Sequence, residues 1–83
     1  MQVNVRLSGE LARIAGAPRV VVEVEDGATV AAVCTAIERG HPSAAGSLDG
    51  ALALVRGDHV PHDRPLAAGE ELALLLPAAG GAH

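Results

Sequence analysis

Apolar and polar side chains alternate over residues 2–8. Val3, Val5 and Leu7 fall on one side; Gln2, Asn4, Arg6 and Ser8 fall on the other. A period of two predicts a half-buried strand. Residues 10–16 (ELARIAG) read as a short helical turn or a loop, closed by Gly16, Ala17 and Pro18. Alternation resumes over 19–25, where Val20, Val22 and Val24 oppose Arg19, Val21, Glu23 and Glu25. The two strands are expected to pair as an antiparallel hairpin with a wide connection.

The period then changes. Asp26-Gly27 signals a turn, and Thr29 is a good helix N-cap because its hydroxyl can accept from a free backbone N–H of the first turn. Val30, Val33, Cys34 and Ile37 follow at the i, i+3, i+4, i+7 spacing of one helical stripe, predicting a helix over 30–39. Gly40 is the expected C-cap, and Pro42 prevents continuation. Residues 43–50 (SAAGSLDG) read as loop and 51–56 (ALALVR) as a third strand, followed by the turn at Gly57-Asp58. A short strand near His59-Val60 is confined to a sheet edge by Pro61 and Pro65. Leu66 is expected to plug the core from an irregular segment, and Ala68-Gly69-Glu70 to turn the chain. Residues 71–76 (ELALLL) are the most continuously apolar strand, which suits a central position parallel to the first strand. Pro77 ends it.

This order predicts an α+β chain: a mixed sheet of four to five strands with one main helix packed on one face. Residues 1–77 form the domain, and 78–83 (AAGGAH) form a tail expected to be flexible. If Leu72, Leu74 and Leu76 face the helix, Ala73 and Leu75 face outward. Val55 or Leu54 joins them according to register, Val55 being the one assigned here. An aliphatic patch on an open sheet face is a candidate docking site.

Composition narrows the chemistry. An 83-residue chain buries only about 60–65% of its unfolded surface, so one two-layer core is the limit. Hydrophobic residues make up 49% and aromatic residues none, so Val, Leu, Ile and Ala fill that core and leave no stacking walls for a deep ligand pocket. Ten acidic residues face six arginines and no lysine. The arginines are scattered without interleaved aromatics, which argues against nucleic acid. With no lysine, the N-terminus is the only free amine. Cys34, the sole cysteine, excludes an internal disulfide and a four-cysteine iron–sulfur cluster, and its helical position makes it a small buried hydrophobe. His59 and His62, with Asp58 and Asp63 around Pro61, are read as solvated loop residues, so no metal is expected. There is no signal peptide pattern and no stretch of membrane-spanning length, which gives a cytoplasmic expectation without membrane contact.

Three stretches resemble a known family. VRLSGELARIAG (5–16) is similar to the opening of the small subunit of molybdopterin synthase and its thiamine-type relatives, the ubiquitin-like sulfur carriers. DHVPHDRPLAAGEELALLLP (58–77) is similar to the family's proline-leucine plug, glycine turn and final strand. Gly80-Gly81 sits where the family keeps its diglycine. The resemblance covers essentially the whole chain and implies a β-grasp fold. It also implies a carrier rather than an enzyme: an E1-like adenylating partner uses ATP to activate the carboxylate of Gly81, and a sulfurtransferase-type donor converts the acyl-adenylate into a thiocarboxylate. That sulfur then passes to a biosynthetic acceptor held by a larger synthase subunit. No bound cofactor is implied.

The residue types suit that chemistry. Glycine admits backbone conformations closed to other residues and leaves its carbonyl unhindered. Residues 78–81 extended reach roughly 13 Å, enough to thread Ala78, Ala79 and Gly80 into a partner's active site. No phosphate-binding glycine loop with lysine is present, so the ATP machinery must belong to the partner. The chain departs from the family in four places. The turn reads Ala68-Gly69-Glu70-Glu71 where relatives often have Gly-Asp-Glu. Ala82 and His83 extend past the diglycine, which leaves three readings: removal by a metalloprotease before activation, a remnant foreign to the natural chain, or loss of the carrier chemistry. The final strand lacks the family's frequent aromatics, and Arg56-Gly57 replaces a frequent Asn-Gly. The lead expectation is sulfur transfer in molybdenum cofactor biosynthesis. The alternatives are a trimmed carrier for cysteine, a thiamine-type thiazole or a sulfur-containing natural product, and a non-covalent ubiquitin-like binding module.

Overall fold

The computed structural model describes residues 1–76. The strands are β1 (Gln2–Leu7), β2 (Arg19–Glu23), β3 (Leu52–Val55), β4 (Asp58–Val60) and β5 (Glu71–Leu75). The helices are α1 (Glu10–Ala15) and α2 (Val30–Gly40), followed by a single 3-10 turn over Pro42–Ala44. The strands form one mixed sheet in the order β2-β1-β5-β3-β4. β1 and β2 pair antiparallel, β5 runs parallel to β1, and β3 is antiparallel to both β5 and β4. The last strand is therefore the central one, as its apolar sequence predicts. Among the described residues, no helix is long and apolar enough to cross a membrane.

Alternation decides which face each strand buries. Val3, Val5, Leu7, Val20, Val22, Ala53, Leu72 and Leu74 turn to one face and are buried. The apolar stripe of α2, Val30, Val33, Cys34 and Ile37, covers that face. The Thr29 hydroxyl accepts from the Ala32 N–H at 3.2 Å and starts the helix where the sequence places it. Its end differs from expectation. Gly40 is the last helical residue, and His41 caps by donating its N–H to Ile37 O at 2.9 Å. The Pro42 turn follows directly, so no left-handed glycine is used there.

Two further segments complete the core. The ELARIA stretch is a full short helix that buries Leu11, and Gly16 closes it in the left-handed conformation (φ 81°) with its N–H on Ala12 O at 2.9 Å. The 43–50 segment, read from sequence as plain loop, buries Ala44 and Leu48 beneath the sheet. Leu66 plugs the core from an irregular stretch, as expected, with its N–H bonded to Ala28 O at 2.9 Å. No polar or charged residue is buried as a whole among those described, although the side chain of Glu70 is well covered.

Candidate functional site

The candidate site has two parts: the tail and the open face of the sheet. Ala78, Ala79, Gly80 and Gly81, like Ala82 and His83, lie outside the described residues. The strand that carries the tail is described to its end. Leu74 O accepts from the backbone N–H and, at 3.4 Å, from the hydroxyl of Ser8, so the last turns of β5 are pinned to the end of β1. Leu76 packs half-buried against the core.

The open face is composed by the register of the three central strands. Ala73 lies between Arg6 of β1 and Leu54 of β3, and Leu75 lies across from Leu52. Ala73 and Leu75 are half-buried on this face, as predicted. Val55 is not there. It pairs with Leu72, which faces α2, so it shares that face and is only 4% exposed. Leu54 takes its place. The physical reason is parity: the antiparallel register sets odd positions of β3 across from even positions of β5, and a one-residue shift exchanges the two faces. The sequence offered both options and only the pairing distinguishes them.

Beside this aliphatic strip, a shallow hollow of about 560 Å³ opens between the start of β5, the β3–β4 turn and the turn at residues 67–70. Arg6 and Arg56 stand on its walls, opposite Glu70 and Glu71. Arg6 lies 3.5 Å from Glu71, and both are about half exposed. Glu70 is far more committed. Its carboxylate accepts from Arg64 at 3.0 and 3.1 Å, from the Ala67 N–H at 2.9 Å and from Arg56 at 3.3 Å. The Arg64 guanidinium, and then the Ala67 N–H, hold the Glu70 carboxyl down at about 2. This network fixes the irregular 61–70 stretch against the sheet. Sequence reading named only the turn, because an ion pair six residues apart in a loop has no periodic signature.

Arg56 carries a second peculiarity. It occupies the left-handed region (φ 54°) as the first residue of a two-residue hairpin with Gly57 (φ 82°). That turn favours Asn-Gly, because both central residues need positive φ.

Cys34 is only 5% exposed, and burial first, then the charges of Glu38 and Asp49, push its thiol up to about 11. It stays protonated at neutral pH and offers no nucleophile. His62 lies 2.7 Å from Ala51 O and is engaged with backbone. Among the described residues, no group of three His, Cys, Asp or Glu side chains is placed to hold a metal ion.

The geometry is that of a β-grasp domain with its last strand at the centre of the sheet. A family model described as the ThiS family matches residues 5–81. The chain belongs to the ThiS family. The expected membership among ubiquitin-like sulfur carriers, protein partners rather than catalysts, is thereby met. Among solved structures, the crystal structure of SAMP1 from Haloferax volcanii is 30% identical, with a TM-score of 0.86, over 98% of this chain and 100% of that one. A putative molybdopterin converting factor subunit 1 from Pyrococcus furiosus is 21% identical (TM-score 0.80; 94% and 99% covered). A complex of subunits 1 and 2 of molybdopterin-converting factor from Helicobacter pylori matches at 20% identity (TM-score 0.66; 98% and 100% covered). At these lower identities the last two bear on the fold alone. Comparison with curated proteins gives no match.

Proposed function

We propose that this ThiS-family protein carries sulfur as a thiocarboxylate on Gly81, made after Ala82 and His83 are removed, and donates it in molybdopterin biosynthesis. The observation that carries the reading is where the family match stops. It runs to Gly81 and leaves Ala82 and His83 outside. A metalloprotease exposes the Gly81 carboxylate. An E1-like enzyme joins that carboxylate to the α-phosphate of ATP, releasing pyrophosphate. A sulfurtransferase persulfide attacks the acyl carbon and AMP leaves; a thiol then reduces the acyl disulfide, forming a disulfide with the donor sulfur and releasing the thiocarboxylate. The open face bearing Leu54, Ala73 and Leu75 docks on the partner while residues 78–81 thread into its active site. The sulfur acceptor is held by a larger synthase subunit, the last of these partners. All of these steps are placed in the cytoplasm.

A second reading is favoured by the likeness to SAMP1, a small archaeal modifier protein. The same Gly81 acyl-adenylate, met by an amine of another protein, gives an amide in place of a thiocarboxylate. Both readings begin with trimming and adenylation, and they separate at the nucleophile.

The test is the intact mass of untagged protein from its own host, together with a search of that host's peptides for lysines carrying the branch that ends in Ala79-Gly80-Gly81. A species ending at Gly81 with one oxygen replaced by sulfur is the expected result. Trimmed protein without sulfur, but with lysines that carry this branch, moves the assignment to the modifier. A homogeneous species ending at His83, unchanged by ATP, a sulfur source and host extract, overturns both.

A further inference from the structure

The two edges of the sheet are unequal. β4 is three residues long and is followed at once by Pro61, so it offers little to an added strand. β2 is five residues long, reads RVVVE, and carries no proline, lysine or bulge. Among the described residues nothing pairs with its outer side.

The polarity of that edge is set by the β1–β2 ladder. Val24 N–H donates to Met1 O at 2.9 Å and Leu7 N–H to Pro18 O at 2.8 Å. With Val3 across from Val22 and Val5 across from Val20, the even-numbered residues of β2 bond inward to β1. Arg19, Val21 and Glu23 therefore direct their N–H and C=O groups outward. Their side chains share the open face. Val21, at 59% exposed, is the one exposed large hydrophobic residue among those described. Arg19 lies across from Arg6, a like charge, and Arg6 is already paired with Glu71. Among the described residues Arg19 has no ion pair of its own. Glu23, mostly exposed, is 3.4 Å from the Met1 ammonium.

The order along this edge is cation, valine, anion. Turned through a two-fold axis at Val21, it is complementary to itself. We propose that β2 pairs edge to edge with β2 of a second copy, antiparallel about Val21, setting Arg19 of each copy across from Glu23 of the other. In that register Arg19, Val21 and Glu23 are the residues that exchange backbone bonds, which is what their outward polarity requires. The two Val21 side chains meet on the axis. Shifting the register by two residues either way sets Val21 across from a charged residue and shortens the ladder. The pair makes an isologous dimer with one sheet running through both copies.

A five-residue edge contact buries less than the roughly 1,200 Å² of a standard interface, so the dimer is weak and concentration-dependent. It leaves Leu54, Ala73 and Leu75 uncovered, so it is compatible with partner docking and independent of the function assigned to the tail.

Sedimentation velocity of the full 83-residue chain tests this, from about 10 µM to about 1 mM, the range in which small interfaces associate. A dimer fraction that rises with concentration is expected. Arg19→Glu, which sets glutamate against glutamate twice per dimer, should weaken association at least about fivefold, and the double reversal R19E/E23R should restore it. Val21→Lys, at an exposed position, should weaken it too and serves if either charge variant melts early by circular dichroism. A chain that stays monomeric up to about 1 mM overturns the proposal. So does a dimer indifferent to all three variants, since it must use another surface.

Discussion

Glu70 holds Arg64 in two bonds, Arg56 in a third and the Ala67 N–H in a fourth, with a side chain only 6% exposed. Its carboxyl sits at about 2 instead of the ordinary 4.5. The folded state therefore prefers the charged form, and the stability this confers is present above about pH 4.5 and lost as pH falls toward about 2. Urea midpoints measured between pH 6 and pH 2 should fall through that window, and Glu70→Gln should be less stable at pH 6 yet show a shallower fall. An equal slope in wild type and variant would place the acid sensitivity elsewhere. At this scale the sequence was uneven in what it disclosed. Cys34 and Leu66 were legible as core, because an apolar residue on a helical stripe or next to a proline has few other uses. Val55 was not. Its face depends on which residue of β5 lies across from it, and a partner 17 positions away, Leu72, leaves no mark on the local pattern.

Between elements, the instructive segment is 43–50. Ala44 and Leu48 are buried there one helical turn apart, but two positions with an exposed glycine, Gly46, between them make no stripe, so the segment reads as loop. The stripe of α2 was legible for the opposite reason: four apolar positions at one spacing admit one interpretation. Leu48 is about 1% exposed, as buried as Leu11. Leu48→Ala should therefore cost roughly 2–4 kcal/mol of unfolding free energy, the penalty of a true core position. An effect below about 1 kcal/mol would mean that this segment is a surface loop after all. Thermal or denaturant melts decide it.

For the whole molecule, strand order was the most legible property and the docking face the least. A continuously apolar final strand belongs in the middle of a sheet, and β5 is there. The diglycine was legible only through family likeness, since no physical rule singles out two glycines near a chain end. The open face can be tested without reference to the tail. Leu54→Asp places a charge in the half-buried strip between Arg6 and the 67–70 turn, away from the core. It should lower affinity for the activating enzyme by about tenfold or more, the loss of one good interface contact, while shifting stability by less than about 1 kcal/mol. Calorimetry with the partner and a parallel melt separate the two effects. Unchanged affinity would move docking off this face.

The central position of β5 has a mechanical side. Its C-terminal end is the point from which any partner that grips the tail must pull, and such a pull runs along the strand. β5 is paired over four residues with β1 on one side and over four with β3 on the other. A load in that direction strains both ladders in shear, all bonds together, whereas a load on β2 or β4 would peel an edge one bond at a time. A pull at that end would therefore be borne by both ladders at once, and the domain would stay whole under a load that peels an edge strand away.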